Sequence, residues 1–434
     1  MAVSLQSYEV SDLCLGKPAL YWLPITATVG EALKALKQLK PSHETELSVW
    51  NCTHNNKKVT ANVGDEQEQD CKCLGKVCMV DIICYLSCDE SLCDPARALS
   101  APITTLLPRV STRVRLVDPH SSLLKALGLI LEGAQNLIVP IEGPKRLSFK
   151  KPSQKIGCVA KISPASHGGK EFCWITQEDV LRFLLGFIGA FSPLPSMTIE
   201  DLGIVNTEIL MVEYNKPAAT ALNLIKQASY TQSAVAVVEQ DPLEGPKLIG
   251  EISPSTLMCC DETVALALAT LSAGDFMAYV DCGGPAESLV EIVKRRMNLK
   301  MGLRGEREEG HQRGSSIAGP HDLLPRRENR MTDPWEESSD EEFYGGSPNG
   351  PLDNARKWHR SCSFKSNKMV YASRSCRASP LTCKPWNSLV AVMAQALAHR
   401  VNYVWVTDED SNLVGIVTTL SILTVFGDHL QSLD

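Results

Sequence analysis

The sequence contains no run of about 18 apolar residues, the length a membrane-spanning helix needs, so no membrane span is expected. It also lacks a surplus of positive charge: 43 Lys and Arg stand against 50 Asp and Glu, a net charge of -7. A nucleic-acid binder ordinarily presents a basic field, so nucleic acid is not an expected partner. The first residues, MAVSLQSYEVSDLCLGK, contain no Arg and reach Glu9 and Asp12 early. They show neither the apolar core of a signal peptide nor the Arg/Ser bias of a transit peptide. The expected compartment is therefore the cytoplasm, with the nucleus as the alternative. No G-x-S-x-G, H-E-x-x-H, Walker or dinucleotide motif is present, so the chain is not expected to be an enzyme.

What is present fits a globular protein. The 434 residues are enough for two to four domains at roughly 100–200 residues each, and 44% are apolar. Sixteen Cys would suit a secreted disulfide scaffold, but the chain is too long for that class. Cys158, Cys173, Cys259 and Cys260 sit in or beside apolar runs, which points to reduced, buried thiols. Cys52, His54, Cys71 and Cys73 flank one long polar stretch and could converge on zinc. Their C-x-H and C-x-C spacings differ from the usual C-x2-C pairs, so no metal is expected.

A repeat emerges when helix starts are aligned. DPHSSLLKAL at 118–127, KPAATALNLI at 216–225 and KPWNSLVAVM at 384–393 each place Pro before Ser122, Thr220 or Ser388 and then an apolar helical pattern. Thr28 in ATVGEALKAL takes the same place without the Pro. Ser and Thr cap helices well, so each copy reads as a strand ending and a helix beginning at the hydroxyl residue. Two β-branched apolar runs follow each start: LSVW and LGKVCMV, NLIVPI and EFCWIT, SAVAVV and LIGEIS, NYVWVT and LVGIVT. Each couple predicts a hairpin, followed by a second helix. In the first two copies polar insertions, TANVGDEQEQD and KRLSFKKPSQKIG, separate the hairpin strands. Openers VSDLCLG at 10–16 and IEDLGIV at 199–205 precede copies one and three. The expected units are repeat 1 over 10–90, repeat 2 over 98–191, repeat 3 over 197–272, a helical extension over 273–301 and repeat 4 over 379–430.

Residues 302–378 fall outside this pattern. They run from EESSDEE to a stretch with seven Lys and Arg and no acid between Arg356 and Arg377. Such composition predicts a disordered, charged linker. Ser361, Ser363 and Ser375 follow Arg, which would suit phosphoregulation.

The four hairpin ends superpose as GKVCMVD at 75–81, CWITQED at 173–179, GEISPST at 250–256 and GIVTTLS at 415–421. The last, continued as NLVGIVTTLSILTVF, resembles the end of a CBS (cystathionine-β-synthase) repeat: Gly, apolar residues, Thr or Ser, two residues, then Asp opening the last helix. With four copies in register, the chain resembles a plant four-repeat CBS-domain protein of the CBSX type, similar in layout to the γ regulatory subunits of SNF1/AMPK-type kinases. That resemblance implies an α/β fold of strand-helix-strand-strand-helix repeats, paired through their sheets into two Bateman modules. Whether modules pair within one chain or in a homodimer is left open. It also implies adenosine-type ligands, AMP, ADP, ATP or S-adenosylmethionine, in clefts between repeats. No bound cofactor is required.

Carried over residue by residue, the phosphate position is Cys78, Thr176, Ser253 and Thr418, and the ribose position is Asp81, Asp179, Thr256 and Ser421. A hydroxyl beside orphan helix amides suits phosphate, and a carboxylate one turn later suits ribose hydroxyls. Only Thr176 with Asp179 keeps both types, and the same two residues also fit a capping box. A regulatory sensor acting on SNF1-related kinase subunits or a thioredoxin-type protein is the expected role, with a ligand-free assembly scaffold as the alternative. Limited trypsin digestion is expected to cut first within 302–378; protection of that stretch would show that it docks.

Overall fold

The structure is a computed structural model that describes residues 7–39, 46–52, 71–107, 113–141, 166–167, 170–241, 245–258, 260, 262–281, 293, 295, 299 and 380–432. The linker expected over 302–378, His54, Cys158 and Cys259 lie outside the described residues. One compact unit comprises Met1–Pro285 with Ala372–Asp434, and all that follows concerns it.

Each repeat forms its own small sheet. Repeat 1 contributes β1 (Trp22–Pro24), β2 (Glu46–Asn51) and β3 (Lys72–Cys78). Repeat 2 contributes β4 (Val114–Leu116), β5 (Asn136–Ile141), a short edge strand β6 (Ser166–His167) and β7 (Lys170–Thr176). Repeat 3 supplies β8 (Met211–Glu213), β9 (Val235–Asp241) and β10 (Gly245–Ile252). Repeat 4 supplies β11 (Thr382–Cys383), β12 (Tyr403–Thr407) and β13 (Leu413–Thr418). In all four the first strand runs parallel to the second and the third runs antiparallel to it. A parallel pair needs a crossover. The helices Val29–Leu39, Leu123–Leu131, Leu222–Thr231 and Leu389–His399 provide it, and a second helix leaves the end of each third strand. The register Asn51↔Lys72 places the first polar insertion between the hairpin strands, as the sequence suggested.

Three of the four expected hydroxyl residues stand at the helix start, and two of them, Thr28 and Ser122, cap it through the side chain. Thr28 and Glu31 cap reciprocally, with Thr28 N donating to Glu31 Oε2 at 2.8 Å. Ser122 Oγ accepts from Lys125 N at 3.3 Å, and Ser388 is the extended residue before Leu389. Thr220 departs from the expectation. It lies inside a 3-10 turn, Ala218–Ala221, and its hydroxyl donates back to the Pro217 carbonyl at 2.7 Å, so Ala221 precedes the helix. A Thr hydroxyl can satisfy a nearby carbonyl as readily as a helix amide, and here the turn wins.

The sheets pair within modules. Leu20 and Trp50 of repeat 1 pack on Val114, Ile138, Phe172 and Trp174 of repeat 2, with the Trp50 and Phe172 rings 5.0 Å apart. Ala234, Ala236 and Val238 of repeat 3 pack on Tyr403, Trp405, Leu413 and Ile416 of repeat 4. There Tyr403 and Trp405 donate to the Glu251 carboxylate at 2.7 and 2.6 Å. The helices pair the other way. Met79–Leu86 of repeat 1 contacts Leu222–Thr231 and Pro254–Met258 of repeat 3, and the helices of repeats 2 and 4 share one core. Both modules thus close within the single chain.

The openers do not dock on the repeats they precede. Residues 8–11 bond to repeat 2 through Val10 N to Ser121 O (2.9 Å) and Ser11 N to Pro119 O (2.8 Å), while Tyr8 packs edge-on against Phe183. Residues 197–206 bond to repeat 4 in the same manner, through Ile199 N to Asn387 O at 3.0 Å. Among the described residues no helix is long and apolar enough to cross a membrane.

The core shared by repeats 2 and 4 is expected to hold the modules together. Phe426 is fully buried there, 4.7 Å centroid to centroid from Phe191 in an edge-on pair. Phe426→Ala should cost about 3–5 kcal/mol in urea unfolding; a loss below about 1 kcal/mol would mean that the core collapses onto the gap.

Candidate functional site

The four strand-to-helix junctions are built alike. Thr176 N donates to Asp179 Oδ2 at 2.8 Å and Thr176 Oγ1 donates to the same oxygen at 2.8 Å, while Asp179 N donates to Thr176 Oγ1 at 3.4 Å. Cys78 N and Cys78 Sγ donate to Asp81 Oδ2 at 2.9 and 3.2 Å. Thr418 N donates to Ser421 Oγ and Ser421 N donates to Thr418 Oγ1, both at 3.1 Å. Ser253 N donates to Thr256 Oγ1 at 3.3 Å and Thr256 N donates to Ser253 Oγ at 3.1 Å. Each pair therefore satisfies amides that the helix start would otherwise leave orphaned.

Two cavities separate these pairs. A central one of about 250 Å³ is lined by Glu46 and Lys76 of repeat 1, Asn136, Trp174 and Thr176 of repeat 2, Gln232 of repeat 3 and Asn402 of repeat 4, with Lys17 and Glu178 at its side. All four repeats meet here because Glu46 and Asn136 open equivalent middle strands, opposite Cys78 and Thr176 respectively. Its charges are paired. Lys76 Nζ reaches Glu46 Oε1 and Asn136 Oδ1, both at 2.6 Å, Glu178 pairs with Arg182, and Lys17 Nζ lies 2.5 Å from Asp179 Oδ1. The Asp179 carboxylate is thus turned to Lys17 as well as to its cap. The buried Trp174 Nε1 has no hydrogen-bond partner among the described residues.

The second cavity, about 200 Å³, has Asp81 in its wall. Cys84 and Tyr85 follow on the same helix and Cys88 just past its end, Thr105 and Leu107 form one rim, and Lys226, Ser229 and Tyr230 of repeat 3 form the opposite side. Arg113 enters from the start of repeat 2, 3.7 Å from Asp81 Oδ1 and with its guanidinium 3.3 Å above the Tyr230 ring. That stacking is a cation–π contact. Arg113 is 7% exposed, and its Nε has no partner among the described residues. Two cations face one carboxylate, so the cavity carries a positive surplus. Burial pushes the Asp81 carboxyl up, while the Cys78 amide and Arg113 pull it back. Burial and the nearby Asp81 push the Cys84 thiol up to about 12.

The other two junctions sit apart from this chemistry. Ser253 with Thr256 and Thr418 with Ser421 line neither cavity. Lys17, Lys76, Arg113 and Lys226 were not read as site residues in the sequence. Lys76 lies inside GKVCMVD and Lys17 directly follows an opener, both visible signals; Arg113 and Lys226 have none, because packing of repeats 1 and 2 against repeat 3 brings them to one cavity. Among the described residues no group of three or more His, Cys, Asp and Glu could hold a metal ion. Cys52 and Cys71 are free thiols joined by a hydrogen bond, and burial with that neighbour pushes the Cys52 thiol up to about 12.

The chain is 42% identical over its whole length to the CBS domain-containing protein CBSX5 of Arabidopsis thaliana, covering all of that protein. It is 30% identical to CBSX6 of the same plant, over 98% of this chain and 94% of that protein. The chain belongs to the CBS-domain family. A weaker likeness, 24% over 51% of this chain and 67% of the other, is to the SNF1-related protein kinase regulatory subunit gamma-like PV42a, also of Arabidopsis thaliana. No protein-family model matches the chain. As a CBS-domain protein it shows the four βαββα repeats in two Bateman modules that the hairpin ends suggested.

Asp81 gives a test by pH. A carboxyl whose folded value is raised binds its proton more tightly folded than unfolded, so its contribution to stability is fully present below the unfolded value, about 3.9, and is lost as pH rises through the folded value. Asp81→Asn keeps an acceptor for Cys78 N without the charge. In urea titrations the stability of wild type should fall relative to Asp81→Asn as pH rises through that window; a difference that stays constant with pH would show that Asp81 is not shifted.

Proposed function

We infer that this CBS-domain protein is a non-enzymatic regulator that binds an adenosine nucleotide and passes its occupancy to a protein partner. The observation that carries the reading is the Asp81 cavity: a half-closed space with a carboxylate for ribose hydroxyls beside Arg113 and Lys226, which together leave net positive charge for phosphate. The partnerless Arg113 Nε adds a buried donor that a phosphate oxygen would satisfy. Positive surplus favours AMP, ADP or ATP over S-adenosylmethionine, whose sulfonium is cationic. Thr176 and Asp179 offer a second position beside the central cavity, where a ligand must first draw Lys17 away from Asp179. A kinase-complex subunit is the partner class we favour, on the likeness to the gamma-like PV42a; a thioredoxin-type partner is the alternative.

A specific observation also favours the ligand-free scaffold. All four junction pairs are closed as caps, and Asp179 is already ion-paired. Calorimetric titration with AMP, ADP, ATP and S-adenosylmethionine decides between the two readings. Asp81→Ala is expected to weaken nucleotide binding about tenfold to a hundredfold, the ~1.5–3 kcal/mol of a lost charged hydrogen bond, with a smaller change for Asp179→Ala. Loss confined to Asp179→Ala would move the ligand to the central cavity. No heat with any of the four would leave the scaffold standing.

A further inference from the structure

A short segment covers each repeat in the same way, joined to it by one isolated bridge at the start of the first helix. The bridges are Thr28↔Pro102 in repeat 1, Glu9↔Ser122 in repeat 2, Pro217↔Ser272 in repeat 3 and Thr198↔Ser388 in repeat 4. In three repeats the third strand puts glycine beneath that cover, three residues before the junction residue Cys78, Ser253 or Thr418. A Cβ added to Gly75 would lie 3.3 Å from Leu107, and one added to Gly250 or Gly415 would collide with Met277 or Val205. Repeat 2 breaks the rule. Its equivalent residue is Cys173, fully buried, and the Cys14 side chain is hydrogen-bonded to it. In the second opener the sequence counterpart of Cys14 is Gly203, whereas the side chain over Gly415 is Val205, the counterpart of Gly16. Repeat 2 thus has a thiol on the strand where the other three strands have glycine, and a second thiol on the segment that covers it.

The two thiols are unlike. Cys14 ends the helix Val10–Leu13, is partly exposed, and its Sγ lies 3.4 Å from the Val10 carbonyl oxygen. A hydrogen bond from Cys173 holds the Cys14 thiol below its ordinary range, helped by the Lys17 ammonium. The same bond, with burial, pushes Cys173 up. One sulfur is therefore the better nucleophile and the other keeps its proton beside it.

We propose that Cys14 and Cys173 are a redox modification site, joined as a disulfide by a hydroperoxide such as hydrogen peroxide. The Cys14 thiolate attacks one peroxide oxygen, the O–O bond breaks, and Cys14 becomes a sulfenic acid while the departing oxygen leaves as water with the proton Cys14 gave up. The Cys173 sulfur then attacks the sulfenic sulfur, the S–S bond forms, and the sulfenic oxygen leaves as a second water carrying the Cys173 proton. The two sulfurs lose two electrons in all and the peroxide gains them. The bond ties residues 7–17 to β7 and keeps Lys17, whose amide donates to Cys14 O at 3.1 Å, beside Asp179 at the edge of the central cavity. The proposal does not depend on any ligand occupying that cavity.

The test is peptide mass mapping of the full chain, reduced, treated with equimolar hydrogen peroxide, then unfolded and alkylated without reductant. A cross-linked Cys14–Cys173 peptide pair is expected, reversed by dithiothreitol and absent from Cys14→Ser and Cys173→Ser. The oxidised wild type should also melt several degrees above the reduced protein, with no such rise in Cys14→Ser. Both thiols recovered alkylated from treated wild type, or disulfides confined to other pairs such as Cys52–Cys71, would overturn the proposal. The wild-type map decides this even where a variant fails to fold.

Discussion

A three-stranded sheet with two helices is too small to bury both of its faces, and the rest of the architecture follows from that. The strand face of each repeat closes against its module partner, as Trp50 and Leu20 do on Phe172 and Trp174. The helix face must then find a different neighbour, and it finds the other module: repeat 1 against repeat 3, repeat 2 against repeat 4. Four units that each need two partners form a closed ring, which brings the starts of the middle strands and the ends of the third strands to a common centre. Those are the places where backbone amides end unpaired and where polar side chains are needed. The central cavity with Glu46, Lys76, Asn136, Gln232 and Asn402 is the residue of that geometry.

At each junction the groups that complete the helix start are of the same kind that would hold a nucleotide. A carboxylate at the third helical position that accepts from the preceding strand's last amide has lone pairs left over, so capping and ligand contact compete only in part. What distinguishes the junctions is what else reaches the carboxylate. Asp179 receives Lys17 at 2.5 Å, a neutralising contact, whereas Asp81 has Arg113 at 3.7 Å and a pKa that burial raises, a sign of incomplete compensation. Where the carboxylate is replaced, by Thr256 and Ser421, the cap survives with hydroxyls alone and lines neither of the two cavities.

Much of this was legible in the sequence because it is local. Helix starts at Thr28, Ser122 and Ser388, hairpins of alternating β-branched runs, and the reciprocal spacing of Thr176 and Asp179 each depend on residues a few positions apart. Thr220 was misread for an equally local reason, since its hydroxyl had a carbonyl within reach as well as an amide. What stayed hidden depends on packing between distant segments. The openers lie before repeats 1 and 3 yet dock on repeats 2 and 4, because each module's second repeat leaves a helix face that the preceding chain can cover. Arg113 and Lys226 share a cavity because repeats 1 and 2 pack against repeat 3.

The repeats also show which positions are free to diverge. A covering side chain above a glycine is a steric arrangement: Leu107, Met277 and Val205 differ in shape, yet each is accommodated because the strand below has no Cβ. Placing a side chain on that strand therefore requires a small partner above it. Cysteine over cysteine meets the requirement, and alanine over alanine would meet it equally well. Packing alone thus does not select sulfur at both positions. The same logic applies at the centre, where a ring of four hydroxyl or amide groups would cap the helices adequately. The charged side chains of Lys17, Lys76, Glu46 and Asp179 go beyond what capping needs, and all of them come from the first module or its opener. The charges around the central cavity thus belong to one module, whereas the Asp81 cavity also draws Lys226 from the second.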